Sequence, residues 1–255
     1  MTDSLRAPSS ILVEVELPDP TPLSPNLVEL LGSLRVVLVG WYAVPEQTSP
    51  AQARDQFEGQ ARSDLQAIAA PFEKAGADVE MHLVFTGDEF DTISRISSEE
   101  DCDAVLIPAG MDTLERILVP LRGLRNAHRI AAIVADLVQD GTTDVTILHV
   151  LEEGETEASA REQVLGPVAD RMTGEGIDAG LLRLESVSAD DPADMIVERS
   201  KEYDAVVIGE TKPSVREILF GTVPEIIAKT ADVPILVVRH AEEGVDVAER
   251  ATQAK

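Results

Sequence analysis

The clearest structural pattern in the chain is DAVVIGETKPSVREILFGTVPEIIAKTADVPILVVR, residues 204–239. Its two short apolar runs, 205–208 and 235–238, are rich in β-branched residues and are typical of strands covered on both faces. Between them, Gly221 opens a predicted helix, because TVPE from Thr222 fits a capping box with a proline in the first turn. A strand, a helix and a second strand form the crossover unit of a parallel sheet.

Strands and helices alternate along the rest of the chain. The predicted strands cover residues 11–17, 34–44, 78–85, 104–107, 116–121, 145–150 and 179–185. The predicted helices cover residues 25–32, 50–76, 88–98, 126–137, 157–173 and 191–201, most of them opened by Ser-Pro, Asp or Asn and several closed by glycine. This alternation predicts an α/β fold with a doubly wound, Rossmann-like parallel sheet.

The chain contains an apparent internal repeat. ILVEV at 11–15 matches ILVPL at 117–121, and DCDAVLIPAG at 101–110 matches EYDAVVIGET at 202–211. We therefore predict a tandem repeat with a first half at 1–113, a second half at 114–241 and a tail at 242–255. The alternative is that any two series of strands and helices share apolar strands. The first half lacks the glycine-threonine helix start and the closing strand of the second.

The composition is strongly acidic, with a formal net charge of −26 and a pI of about 4.3. The electric field of such a surface repels nucleic acid and anionic membranes. With aromatic residues at only 3%, few side chains are available for nucleic-acid bases to stack on. We therefore expect no nucleic-acid partner. Acidic residues spread along a lysine-poor chain favour a halophilic source, and an acidic mesophilic protein is the alternative.

The location is predicted from cysteine usage and hydropathy. Cys102 is the only cysteine, so neither an internal disulfide nor a cysteine metal cluster can form. No apolar run approaches the roughly 18 residues of a membrane span, and the N-terminal residues lack the apolar core of a signal peptide. We expect a cytoplasmic protein without membrane insertion.

Catalytic and metal-binding signals are weak. The four histidines, His82, His128, His149 and His240, stand singly without metal-ligand spacing, so no metal site is predicted. There is no phosphate-loop Gly-Lys-Ser/Thr motif and no nucleophile elbow. We therefore expect a protein that is not an enzyme and has no catalytic residues, with slow ATP hydrolysis at most incidental.

The stretch at 204–239 resembles the C-terminal signature of the universal stress protein family. The family pattern is Gly, two residues, Gly, nine residues, Gly and then Ser or Thr. Gly209 matches the first glycine and Gly221-Thr222 the last pair, while Lys212 or Pro213 stands where the middle glycine is expected. The resemblance extends over most of residues 11–239 and is closest at 202–239.

The resemblance implies an adenine-nucleotide-binding α/β fold, with ATP and magnesium as the first candidate ligands in the second half. By the same resemblance, Gly221, Thr222 and Val223 contact the phosphates at a helix N-terminus, which is an intrinsic anion site. The alternative is that Thr222 only caps its helix. Ligands of open parallel sheets bind beyond the carboxyl ends of the strands, which places Pro120, Val150 and Gly209 in the candidate pocket.

Arg122 stands where the family usually has an aspartate near the adenosine. This exchange reverses the local charge, and a guanidinium matches the geometry of a phosphate. Glu16 holds the matching place in the first half. Lys212 and Arg216 add positive charge near the predicted anion site, or are solvated loop residues.

The sequence leaves two alternative functions open and predicts one mode of assembly. The first function is a nucleotide-responsive stress or regulatory protein. The second is a nucleotide-independent interaction module, such as a soluble regulatory partner of a membrane transporter. The strand from Val233 to Arg239 is predicted as an edge that pairs with a second chain in a homodimer.

Overall fold

The computed structural model describes residues 7–44, 49–138, 141–210 and 232–239. The strands in these ranges are β1 (Ser10–Leu17), β2 (Arg35–Ala43), β3 (Asp78–Thr86), β4 (Ala104–Ile107), β5 (Arg116–Leu121), β6 (Asp144–Val150), β7 (Leu182–Val187), β8 (Ala205–Gly209) and β9 (Ile235–Val238). The α-helices are α1 (Pro25–Leu30), α2 (Pro50–Ala75), α3 (Glu89–Glu99), α4 (Ala127–Leu137), α5 (Glu157–Ala160), α6 (Gly166–Gly174) and α7 (Pro192–Ser200). The predicted α/β alternation is confirmed.

The nine described strands form a single sheet in the order β3-β2-β1-β4-β9-β8-β5-β6-β7. Neighbouring strands are parallel except β4 and β9, which pair antiparallel. The first half runs β3-β2-β1-β4 and the second half runs β7-β6-β5-β8, so each half has its third, second, first and fourth strands in the same order. The two halves point in opposite directions across the β4–β9 junction. This common order supports the predicted repeat, which stays a prediction.

Helices cover both faces of the sheet. Ile11 and Val13 face one core, which also contains buried residues of α1, α2, α4 and α6. Leu12 faces the opposite side, where α3 contributes Ile93 to the core, and α7 packs on that face in the second half. Strands covered on both sides explain the continuous apolar runs and confirm the doubly wound arrangement. None of the helices in the described ranges has the length and apolar character that crossing a bilayer requires.

The prediction that the strand from Val233 to Arg239 is an edge is wrong. In β9, Val237 pairs with Val105 of β4 on one side and with Ile208 of β8 on the other. The first half has no closing strand of its own, so β4 offers an unpaired edge within the same chain. Pairing within one chain has the advantage of high effective concentration over pairing with a second chain. A homodimer through this strand therefore has no free edge to use.

Side-chain contacts join the two halves beyond the sheet. The Ser9 amide and hydroxyl both donate to Asp136 Oδ2 at the end of α4, at 2.9 and 2.6 Å. Arg239, which follows β9, donates to the Ser97 carbonyl at 2.6 Å and to Ser98 Oγ at 2.9 Å at the end of α3. The Arg239 contact satisfies a backbone carbonyl in the last turn of α3, and both sets of contacts fix the halves to each other.

Most predicted helix boundaries are confirmed by their caps. Ser24 Oγ accepts from the Leu27 amide at 3.3 Å, and Ser49 Oγ accepts from the Gln52 amide at 3.2 Å. Gly76 ends α2 in the left-handed region with φ of 106°. These ends depend on neighbours in sequence, which is why the sequence predicts them well.

Two predicted elements of the second half differ in the structure. The strand predicted from residue 179 begins at Leu182, because Ala179–Leu181 is a 3₁₀ turn that Asp178 caps by accepting from the Gly180 amide. The helix predicted at 157–173 contains a π turn at Arg161–Leu165. Pro167 follows this turn and cannot donate an amide hydrogen bond, which disturbs the regular ladder of the helix.

Candidate functional site

The structure brings the described site residues of the second half to one edge of the sheet. Pro120 lies near the end of β5, opposite Leu148 of β6, and is buried. Val150 and Gly209 are the last residues of β6 and β8. The carboxyl ends of three parallel strands therefore meet where the sequence predicted the pocket. Lys212, Gly221, Thr222 and Val223 lie outside the described residues, as does Arg216.

The strand order reverses at this edge. From β5 the chain passes through α4 to β6 on one side, while α7 leads into β8 on the other side of β5. The α4 and α7 helices pack on opposite faces of the sheet. Open α/β sheets bind ligands in the crevice that such a reversal creates. The switch point between β5 and β8 is therefore the candidate site.

Arg122 is the exposed charge at this switch point. Its side chain is 85% exposed, and Nε lies 3.7 Å from Glu152 Oε1, which belongs to a side chain 65% exposed. Ion pairs this exposed contribute little to stability. The guanidinium is therefore available to exchange its carboxylate partner for another anion at small energetic cost.

Gly209 has a packing role that the sequence did not reveal. A Cβ on this residue would lie 3.3 Å from Ile130 Cδ1 and 3.9 Å from Asn126 Cβ. Both neighbours belong to the start of α4, where Asn126 has a left-handed φ of 59°. The tip of Ile130 would have to move by a few tenths of an ångström to admit a Cβ, so this contact favours a small residue at the end of the strand. The first turn of α4 thus explains Gly209 without a ligand.

Sequence reasoning missed the buried residue His149. Its Nδ1 lies 3.0 Å from the Leu121 carbonyl and its Nε2 lies 2.9 Å from Glu155 Oε2. Glu155 also accepts from the Glu152 amide at 3.0 Å. That backbone bond, followed by the His149 contact, lowers the pKa of the Glu155 carboxyl. The pair fixes the loop between β6 and α5 beside the candidate site, and the only sequence signal was a lone histidine in an apolar strand.

The first half has a different site at the carboxyl end of its first strand. Glu14 occupies the register position of Pro120, since Ile11 pairs with Ala104 as Ile117 pairs with Ala205. Burial, and to a smaller extent the neighbouring Glu89 charge, raises the pKa of the Glu14 carboxyl to about 7. Burial, with Glu16 and Asp88, also raises the pKa of Glu89. This end of the sheet therefore gathers carboxyl groups and is unfavourable for a phosphate.

A shallow cavity of about 220 Å³ lies beside this acidic cluster. It is lined by residues at the ends of β2 and β3 and directly after them, namely Trp41, Ala43, Val44, Thr86, Gly87, Asp88 and Glu89. A second cavity, of about 500 Å³, lies between α5, the π turn and the edge strand β7. Among the predicted site residues that the structure describes, none lines either cavity.

Comparison with known proteins agrees with this architecture. The chain is similar in structure to a universal stress protein from Archaeoglobus fulgidus DSM 4304, at 18% identity and a TM-score of 0.65, covering 92% of this chain and 97% of that chain. It is similar to a putative universal stress protein from Pseudomonas aeruginosa UCBPP-PA14, at 19% identity and a TM-score of 0.50, covering 92% of this chain and 94% of that chain. At these identities the likeness shows the fold.

A protein of unknown function from Pseudomonas aeruginosa PAO1 has the same fold, at 15% identity and a TM-score of 0.51, covering 97% of this chain and 98% of that chain. A search of curated proteins by sequence found no match. The family profile described as "Universal stress protein family" matches residues 113–239. This match covers the second half, from the linker before β5 to the residue after β9. Through these residues the chain belongs to the universal stress protein family.

Proposed function

We propose that the second half binds an adenine nucleotide, with ATP as the first candidate, and that the protein uses this binding for regulation rather than turnover. The observation that carries the proposal is the switch point between β5 and β8, where Pro120, Val150 and Gly209 lie at or next to the ends of three parallel strands at one edge. A crevice of this kind is the usual ligand position in open α/β sheets.

The chemistry of this edge suits a nucleotide better than that of the first half. Val150, next to the buried Pro120, offers partly exposed apolar surface to a base or ribose, while the exposed Arg122 offers a guanidinium to a phosphate. In a protein of net charge −26, a phosphate ligand needs such a local cation to offset the overall repulsion. The first half presents Glu14 and Glu16 instead.

A nucleotide-independent interaction module is the second candidate. It is favoured by the packing of Gly209 against Ile130, because this contact explains a signature glycine without any ligand. The exchange of the family's aspartate for Arg122 favours it as well. In this role the protein is a regulatory partner of another protein, such as a membrane transporter.

Calorimetric titration of magnesium-ATP into the protein in molar potassium chloride separates the two candidates. The variants are Arg122→Ala, which removes the exposed cation of the site, and Thr222→Ala, which tests the predicted helix start. Arg62→Ala is the matched control, since Arg62 is also an exposed arginine paired with a glutamate, Glu58, but lies on α2 in the first half. Phosphate release is measured in the same samples.

Nucleotide binding that weakens about tenfold in Arg122→Ala, with Arg62→Ala unchanged, supports the proposed site. Binding of equal strength in both arginine variants overturns the role of Arg122. Absence of heat and of any thermal shift at millimolar ATP overturns nucleotide binding and favours the interaction module. Rapid turnover of ATP contradicts the regulatory role.

A further inference from the structure

We propose that Glu80, His82 and Glu100 form a binding site for a divalent transition metal ion, with zinc as the best fit. Glu80 and His82 lie two residues apart on β3, so their side chains leave the same face of the strand. Glu100 caps the C-terminal end of α3, which packs on that face. In the described part of the chain, these three residues are the group whose ligand atoms all lie within 4.8 Å of one another.

The distances from His82 to the two carboxylates are close to those between neighbouring ligands of a tetrahedral ion. His82 Nε2 lies 3.4 Å from Glu100 Oε1 and 3.7 Å from Glu80 Oε1. Bonds of about 2.0–2.1 Å to a tetrahedral zinc ion place neighbouring ligand atoms about 3.3–3.4 Å apart. The ligand atoms of all three residues lie within 4.8 Å of one another, so an ion that binds them draws the two carboxylates together by movement of their side chains. A water molecule would supply the fourth ligand, as in open zinc sites.

Arg35 holds both carboxylates by their other oxygen atoms. Its Nη2 donates to Glu80 Oε2 at 2.6 Å and to Glu100 Oε2 at 2.7 Å, so each Oε1 remains directed at His82. Its Nη1 donates to the Glu100 carbonyl at 2.8 Å and to Ser10 Oγ at 3.1 Å, which fixes the guanidinium itself. Outer partners of this kind orient the ligands of metal sites.

The independent observation is His82 Nε2. This atom is shielded from solvent and makes no hydrogen bond among the described residues. A shielded ring nitrogen without a hydrogen bond is costly unless something else satisfies it. Neutral imidazole nitrogen is a preferred zinc ligand, and a bound ion would meet this need. The net charge of the cluster also favours a bound cation, because two carboxylates and one guanidinium leave it negative.

This proposal does not depend on nucleotide binding. The metal cluster lies on β3, at one edge of the sheet, and β5 is six strand positions away. At about 4.8 Å per strand, the two places are roughly 30 Å apart. A loss of zinc binding and a loss of ATP binding can therefore be observed separately.

The test is titration of zinc chloride into the full-length protein, with excess magnesium present to occupy sites made only of carboxylates. Wild type, His82→Ala and Glu100→Gln are compared. His128→Ala is the matched control, because His128 is an exposed histidine on α4 far from the cluster. Cobalt replaces zinc in a second series, since a tetrahedral nitrogen-oxygen site gives strong visible absorption bands.

We expect one zinc ion per chain, a rise in melting temperature on zinc addition, and affinity at least about tenfold lower in His82→Ala and Glu100→Gln than in His128→Ala. We also expect tetrahedral cobalt bands that His82→Ala abolishes. Equal zinc affinity in His82→Ala and wild type overturns the proposal and leaves an ion-pair cluster around Arg35. Because Glu80 is half exposed, Glu80→Gln provides a folded test even where another variant fails to fold.

Discussion

Asp103 in the first half and Asp204 in the second half perform the same structural role. The Asp103 amide donates to the Ser10 carbonyl at 2.8 Å, and its carboxylate accepts from the Ser10 amide at 3.0 Å. The Asp204 amide donates to the Arg116 carbonyl at 2.9 Å, and its carboxylate accepts from the Arg116 amide at 2.8 Å. Each aspartate therefore locks the start of the fourth strand of its half to the start of the first.

The halves differ at the opposite ends of the same strands. The first half places Glu14 and Glu16 where the second half has Pro120 and Arg122. The end of the sheet that fixes strand register is alike in both halves, whereas the end proposed to face a ligand is acidic in the first half and carries Arg122 in the second. The comparison suggests that one end of the unit serves the fold and the other is free to change its chemistry.

The halves also differ in their fifth strand, because β9 serves both of them. It completes the second half by pairing parallel with β8, and it covers the unpaired side of β4 by pairing antiparallel. The stability of the first half should therefore depend on a strand that belongs to the second.

The largest expected effect tests this dependence. Leu236 is fully buried in β9, so Leu236→Ala should lower the free energy of unfolding by about 2–5 kcal/mol through lost burial and a residual cavity. We expect a single unfolding transition, with faster hydrogen exchange in both β4 and β8. Leu124→Ala is the control, since Leu124 is 43% exposed and should change stability by no more than about 0.5 kcal/mol. Unchanged exchange in β4 would show that the halves are independent.

The second prediction concerns the acidic end of the first half. Because the pKa of Glu14 is about 7 in the folded protein, above its ordinary value of 4.5, Glu14 contributes stability below about pH 4.5 that is lost as pH rises through about 7. The ionised carboxylate is thus unfavourable at higher pH. Glu14→Gln should stabilise the protein at about pH 8 by up to about 3 kcal/mol and have little effect at about pH 4.

Chemical denaturation of wild type and Glu14→Gln across this pH range measures the effect. Glu16→Gln is the matched control, since Glu16 lies two residues further along β1 and is exposed. An equal gain in both variants at high pH would attribute the effect to general charge reduction in this acidic protein. A gain for Glu14→Gln alone confirms that the first half carries an unfavourable buried carboxylate.

Local features of the fold could be predicted from the sequence. Ser24, Ser49 and Gly76 end or begin helices through contacts with residues three to five positions away, and such contacts can be read from neighbouring letters. The apolar strands were also clear, because burial on both faces leaves continuous runs. The doubly wound parallel sheet followed from the alternation of strands and helices, whereas the strand order within each half was not predicted.

Pairings between distant residues could not be predicted in this way. The β4–β9 pair joins residues far apart in sequence, and only the missing fifth strand of the first half hinted at it. Glu100 lies close to Glu80 and His82 because the C-terminus of α3 packs near β3. Their spacing along the chain does not reveal this proximity. His149 hydrogen-bonds Glu155 because of the conformation of the loop between β6 and α5, and no recognisable sequence motif predicts that conformation.

The third prediction compares the equivalent aspartates. Asp204→Ala removes a carboxylate that accepts from the Glu115 and Arg116 amides at 2.7 and 2.8 Å, so it should cost about 2 kcal/mol. Asp103→Ala removes one backbone acceptor and a longer contact to Arg129 at 3.8 Å, so about 1 kcal/mol is expected. Urea denaturation measures both, with the exposed Asp55→Ala as control. If only one aspartate matters, the structural equivalence of the halves fails at this point.

The smallest expected change in stability comes from exchanging the charges that distinguish the halves. Arg122→Glu and Glu16→Arg should each change the free energy of unfolding by no more than about 0.5 kcal/mol in molar salt, because both side chains are exposed. Arg122→Glu should nevertheless abolish any ATP binding, while Glu16→Arg leaves it unchanged. A stability loss well above that limit in Arg122→Glu would show that Arg122 supports the fold, and the separation between a structural end and a ligand-facing end would then be wrong for the second half.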